Sequence, residues 1–320
     1  MKQISGLMFG LLALLIAESP AAQTTYPEKP IRLVVGFPPG STLDIAGRLL
    51  GPRLGEALGK PVVVENVAGV AGSVAADRVA KAAPDGHTLA LAAGAQLVVN
   101  PSLYKLPYDP ARDFAPVSQV YTSPGLLVVH NSVPAKNLSE LLALAKARPG
   151  ELTYASGGGG SSPHIAAELL KSMTGLDIRN IPYKGLAAAL PDLFAGRVTM
   201  SFAPMSSVLP AVREGKLRAI AVTSLKRSSA LPDAPTVDES GVPGYEATLW
   251  AGLVAPAATP AAIVRRLHRE TAGALADLRA KFAELGMEVI GNSPDEFAAV
   301  IKSEIPKWAK VIKESGIKPD

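Results

Sequence analysis

Cysteine is absent from all 320 residues, and its absence rules out disulfides, thiolate nucleophiles and cysteine-based metal sites. It also rules out a lipid anchor of the L-x-x-C type. A cysteine-free chain is compatible with an oxidising compartment in which no disulfide is needed. Aromatics make up only 5% of the chain, and the 32 basic residues are scattered rather than gathered into a stripe. That distribution argues against nucleic-acid binding. Histidine occurs four times, as His87, His130, His164 and His268, with no H-E-x-x-H or H-x-x-x-H pairing. His87 and His130 sit beside strand ends and read as structural. His164 and Glu168 lie one helical turn apart, a spacing open either to a metal or to ordinary packing.

Several chemical signatures are missing as well. The nucleophile elbow G-x-S-x-G fails because Gly159-Gly160-Ser161-Ser162-Pro163 lacks its final glycine. A phosphate loop needs G-K-[ST], but Gly59-Lys60 precedes Pro61 and Gly215-Lys216 precedes Leu217. The dinucleotide fingerprint G-x-G-x-x-G does not fit Gly36–Gly40, and Gly157–Gly160 supplies only its first half. No cofactor or metal is therefore expected.

At the N-terminus, Lys2, the apolar run Ile4–Ala17 and the small residues at Ala21–Ala22 form a secretory signal peptide, taken as residues 1–22. The run is 14 residues long, short of the ~20 a membrane-spanning helix needs. Removing Lys2 and Glu18 leaves the net charge at +4. The expectation is an exported, periplasmic protein.

The rest of the chain alternates strands and helices, with enough length for two cores. "IRLVVGF", a helix closed by Gly59, "PVVVENV", "SVAADRVAKAAP" and "HTLALAA" make a βαβαβ opening, which predicts a parallel sheet. A Pro-rich link follows, and the rhythm restarts at "GLLVVHN". It continues through "LTYAS", "IRNIPY", "VTMSFAP" and "LRAIAVTS" with intervening helices, and a largely helical tail ends the chain. The pattern predicts an α/β protein of two lobes. The chain crosses between them near Ser123–Leu126 and near Thr223–Lys226. Lobe 1 is expected over 23–124 plus 225–320, with lobe 2 inserted at 125–224.

Two strand-to-helix loops stand out. "GFPPGSTLD" leaves the first strand, and Ser41 and Asp44 have the spacing of a capping box. "SGGGGSSPH" leaves "LTYA" and enters a helix that Ser161 or Ser162 can cap. Each loop follows a predicted parallel strand at its carboxyl end, where open α/β sheets place ligands. Free N–H groups at helix starts favour an anion. A stiff, capped connector remains the plain alternative for the first loop. Asn66, Gln96 and Tyr183-Lys184-Gly185 are further polar stops after strands. Lys184 is the one cation expected near a ligand, with a solvated surface position as its alternative.

"YPEKPIRLVVGFPPGSTLD", "VVVENVAGVAGSVAADRVAKAAPDGHTL", "NPSLYKLPYDPARDFAPVSQV", "LTYASGGGGSSPHIAAELLKSMTG", "IPYKG", "EGKLRAIAVTSLKRSSALPDAPTVDESGVPGYE" and "GLVAPAATPAAIVRRL" follow one another along the chain. Together they resemble the Bug family, the extracytoplasmic solute receptors of tripartite tricarboxylate transporters. The resemblance implies a bilobal periplasmic-binding-protein fold (type II-like, a Venus flytrap) with two mixed, mainly parallel sheets flanked by helices. It implies a monomeric, non-catalytic receptor that closes over a small carboxylated solute and meets the membrane subunits of a transporter. It places Phe37, Pro38, Pro39, Gly40, Ser41 and Asp44 at one jaw, and Ser156, Gly160, Ser161, Ser162 and His164 at the other. Tyr183, Lys184 and Gly185 border the pocket. Five positions depart from the family pattern: Ser41 for a second glycine, Val67 for arginine, Leu186 for Ser or Thr, and Ala203-Pro204 for "D-N". These departures imply a solute with one carboxylate-like end and a more apolar body. An orphan sensor and, more remotely, an exported hydrolase on a similar scaffold are the alternatives.

Overall fold

The computed structural model describes residues 26–317, so the expected signal peptide lies outside the described residues. Among those residues, no helix is long and apolar enough to cross a membrane.

The opening unit is β1 (Ile31–Val35), α1 (Thr42–Leu58), β2 (Val62–Asn66), α2 (Ser73–Ala80) and β3 (Thr88–Ala93). β1 pairs in parallel with both β2 and β3. Ile31, Leu33, Val34 and Val35 are fully buried, as expected of an apolar strand covered on both faces. Gly59 ends α1 in the left-handed conformation at φ 72°, which a glycine adopts without strain. After β3 come a π-helical stretch at Ala95–Val99 and a one-turn α3 (Asn100–Leu103).

β4 (Phe114–His130) is 17 residues long, and the architecture turns on it. The end of the expected Pro-rich link, Phe114–Val117, opens its first half. That half pairs antiparallel with β9 (Thr248–Pro256) and β10 (Glu288–Val289). β9 in turn lies antiparallel to β3, completing the first sheet. The second half of β4 pairs with β7 (Met200–Pro204) and β8 (Leu217–Val222). β5 (Thr153–Ser156) joins β6 (Arg179–Pro182) and β7 in parallel. Both sheets are therefore mixed: parallel among β1–β3 and β5–β7, antiparallel wherever β4 and β9 enter.

β4 exchanges partners between Pro124, opposite Thr248, and Leu126, opposite Val222. Thr223 joins the strands at this point. Its hydroxyl accepts from the Gly125 N–H at 2.7 Å and donates to the Ala247 carbonyl at 2.9 Å. Its backbone binds the same two residues.

Helices α4 (Leu138–Ala147), α5 (Ser162–Thr174), α6 (Leu186–Phe194) and α7 (Met205–Arg213) cover the second sheet, while α8 (Ala261–Glu284) packs on α1 and β4. The last helix, α9 (Pro294–Ser315), touches β4, α3 and α5 and so spans both halves. Its start carries the full capping box, Ser293 with Glu296.

Candidate functional site

The first loop is held from below by a side-chain ring. Ser41 caps α1, its hydroxyl accepting from the Asp44 N–H at 3.3 Å. Asp44 does not complete a capping box, because its carboxylate reaches past Ser41 to accept from the Gly40 N–H at 2.9 Å. Asn66 donates to the Phe37 carbonyl at 2.9 Å and to Asp44 at 2.8 Å. Arg48, one turn further along α1, donates to Asp44 and to the Asn66 side-chain oxygen, both at 3.0 Å. Asp44 is buried. Burial alone raises a carboxyl pKa, but the hydrogen bonds from Arg48, Gly40 and Asn66 outweigh it and hold Asp44 below its ordinary range. Arg48 was not among the residues picked out from the sequence. Its helical i+4 spacing from Asp44 was the available signal.

Gln96 is fully buried, tying the Ala93 N–H to the Gly72 carbonyl at 2.8 Å each. Gly36 lies against this strut: a Cβ there would fall 2.6 Å from the Gln96 amide nitrogen. Asn66 and Gln96 thus spend their side chains on holding the loops after β1, β2 and β3 together. The loop after β2 carries two consecutive non-glycine residues in left-handed backbone, Val70 at φ 46° and Ala71 at φ 48°. Each such residue costs on the order of 1–2 kcal/mol. Asn100 anchors this loop by donating to the Ala71 carbonyl at 3.1 Å.

The second loop is braced differently. Ser161 occupies the N-cap of α5 but makes no side-chain cap; its hydroxyl accepts from the Gly157 N–H at 3.0 Å. The Ser156 hydroxyl accepts from Gly158 at 3.4 Å, and His164 Nδ1 accepts from Gly160 at 3.3 Å. The start of α5 is therefore not closed by its own cap residue, unlike that of α1. Ser162 begins the helix, half-buried. Glu168 is engaged by the Tyr154 hydroxyl at 2.8 Å and by Lys171 at 2.7 Å. The described residues hold no cluster of three or more potential metal ligands.

Tyr183–Leu186 lies directly beside the glycine loop: a Cβ on Gly157 would sit 3.3 Å from the Leu186 nitrogen. The Tyr183 hydroxyl turns away to donate to Asp192 at 2.7 Å. Gly185 has φ 91°, and Lys184 is exposed without an ion-pair partner among the described residues. Ala203 is fully buried in the apolar cluster of Leu126 and Met205, so its side chain faces that core. Phe37 is half-buried against the first core, and Pro38, Pro39 and Gly40 are exposed.

Each loop touches a helix of the other half. Thr42 on α1 and Ser206 on α7 share a hydrogen bond of 2.9 Å. The Tyr104 hydroxyl donates to the Gly159 carbonyl at 3.2 Å. Leu103 packs so tightly on Gly160 that a Cβ there would lie 2.5 Å from its Cδ1. Two surface hollows of about 470 and 450 Å³ lie elsewhere, beside Pro52–Gly59 and beside Lys29 and Arg78.

Residues 47–317 match the tripartite tricarboxylate transporter family receptor. Protein BugT of Bordetella pertussis is 39% identical over 304 residues, covering 94% of this chain and 93% of BugT. The structure of R. palustris Rpa4515 with adipate superposes with a TM-score of 0.86 at 38% identity, covering 92% of this chain and all of that one. MatC (Rpa3494) from Rhodopseudomonas palustris with bound malate gives 0.81 at 34% identity, covering 90% of this chain and all of MatC. With this match along nearly its whole described length, the chain belongs to the Bug-type receptors of the tripartite tricarboxylate transporter family.

Proposed function

We propose that this chain is a non-catalytic periplasmic receptor, exported by a cleaved signal peptide. It captures a small carboxylate-bearing solute between its halves by hinge closure and delivers it, as a monomer, to the membrane subunits of a tripartite transporter. The observation that carries this reading is that each strand-to-helix loop is tied to the opposite half, Thr42 at the end of the first loop to Ser206 and Gly159 of the second to Tyr104. Each loop follows a parallel strand and opens a helix whose positive end favours a carboxylate. The relatives named with adipate and malate support a carboxylate as the ligand.

The walls favour an apolar remainder for the solute. Across segments 36–48, 66–72, 94–104, 156–161, 183–187 and 203–206, the ionised side chains are Lys184 and the mutually paired Asp44 and Arg48. Val67, Ala68, Val70 and Leu186 are apolar. A second or third carboxylate enclosed here has one unpaired cation to meet it, and an unpaired buried charge costs several kcal/mol. An aromatic or branched monocarboxylate suits these walls better than citrate. Calorimetric titration tests this: a monoaromatic acid binding while citrate does not supports it, and tight citrate binding with no response to monoaromatic acids sinks it. A receptor also returns its ligand unchanged at one molecule per chain, which mass spectrometry of the released solute checks.

A further inference from the structure

The contact between Thr42 and Ser206 joins residues 164 positions apart, from opposite halves of the molecule. Thr42 is the first residue of α1 and directly follows Ser41 of the first jaw. Ser206 is the second residue of α7, just beyond the end of β7. Both are half-buried, and neither hydroxyl has another hydrogen bond among the described residues. Removing either therefore disturbs no pairing within its own half. Tyr104 and Gly159 make a second contact of the same kind, a neutral hydroxyl on one side and a backbone carbonyl on the other.

We propose that Thr42 and Ser206 form a latch between the lobes, with Tyr104–Gly159 as its second point, and that the latch sets how long the receptor stays closed. This rests on the hinge-closure reading above. Water replaces each partner when the halves separate, so the net gain of such a bond is small and the latch is reversible. A bond present only in the closed form shifts the closed-to-open ratio and appears in the rate of ligand release rather than of capture. Being uncharged, the pair acts alike at low and high salt, unlike an ion pair. Thr42 and Ser206 are thus positioning residues: they hold the two halves together and need not touch the solute.

The test is small-angle X-ray scattering of the full ligand-free protein, comparing wild type with Thr42→Val, Ser206→Ala, the double variant and Thr42→Ser. The latch predicts a larger radius of gyration for each single variant and no further increase in the double variant. Thr42→Ser keeps the wild-type value, and all urea midpoints stay the same. In stopped-flow release of whichever of benzoate or adipate binds, the single variants should dissociate about two- to tenfold faster. Identical radii throughout, additive effects in the double variant, or failure of Thr42→Ser to restore closure overturn the latch. If an acid binds while the radii do not change, the latch fails and the receptor reading stands. If no carboxylate binds while the radii respond as predicted, the latch stands and the receptor reading fails.

Discussion

Asn66 donates to Asp44 at 2.8 Å, and that one bond ties the end of β2 to the first turn of α1. The same amide nitrogen holds the Phe37 carbonyl, so the shape of the first jaw depends on a residue from the neighbouring strand. Replacing Asn66 with Ala leaves the Phe37 carbonyl and one Asp44 oxygen short of a donor. The expected cost is about 1–3 kcal/mol in urea unfolding, with weakened ligand binding. An unchanged midpoint removes Asn66 from the account of the jaw.

Asp44 gives a pH signature. Its carboxyl titrates below the usual range, so the folded state releases that proton more readily than the unfolded chain does. The stability it contributes is fully present above the unfolded value near ~4 and is lost as pH falls through the lower folded value. Asp44→Asn should be less stable than wild type at neutral pH. The gap should narrow in urea melts run from pH 5 down to pH 3. A gap of constant size contradicts the assignment.

Gly160 faces two constraints at once. Its φ of 72° costs an alanine on the order of 1–2 kcal/mol, and the added methyl strikes Leu103 from the other half. Gly160→Ala should lower both the thermal midpoint and ligand affinity. Adding Leu103→Ala should recover part of the affinity but not the midpoint, since backbone strain persists. Affinity that is indifferent to Leu103 argues against closure at this point.

Lys184 is exposed and has no ion-pair partner among the described residues, so its removal should leave the fold untouched. Lys184→Gln is expected to change the midpoint negligibly while weakening acid binding by about two- to fivefold at low salt, with the difference fading at high salt. Equal affinities at low salt return Lys184 to the role of a solvated surface residue.

Thr223, buried where β4 changes sheets, is the corresponding test of the crossover. Thr223→Val strands the Gly125 N–H and frees the Ala247 carbonyl, at an expected ~1–3 kcal/mol in unfolding.

The sequence showed the βαβ rhythm clearly because local signals carry it. Apolar runs such as "IRLVV" and terminators such as Gly59 and Gly175 coincide with observed boundaries. The first half of β4 was hidden, since Ser118, Gln119 and Ser123 interrupt its apolar run yet are buried. Ser118 and Gln119 are satisfied by Asn292, and Ser123 by the Gly286 carbonyl, more than 160 positions away. No local pattern announces such partners. Asn66 and Gln96 were placed near the cleft, but their bonds to Phe37, Asp44, Ala93 and Gly72 emerge only from the fold. Thr42, Tyr104 and Ser206 carry no sequence signal, because their partners lie in the other half of the molecule.

Carboxylate capture is the central claim, and it is tested most directly by pairing each acid with its own amide. Calorimetric titration of the mature protein with aromatic and branched monocarboxylic acids, each beside its primary amide, isolates the charge from the apolar body. The account predicts that at least one acid binds one to one, with its amide at least about tenfold weaker. An amide binding as tightly as its acid, or a panel in which no acid binds, contradicts it.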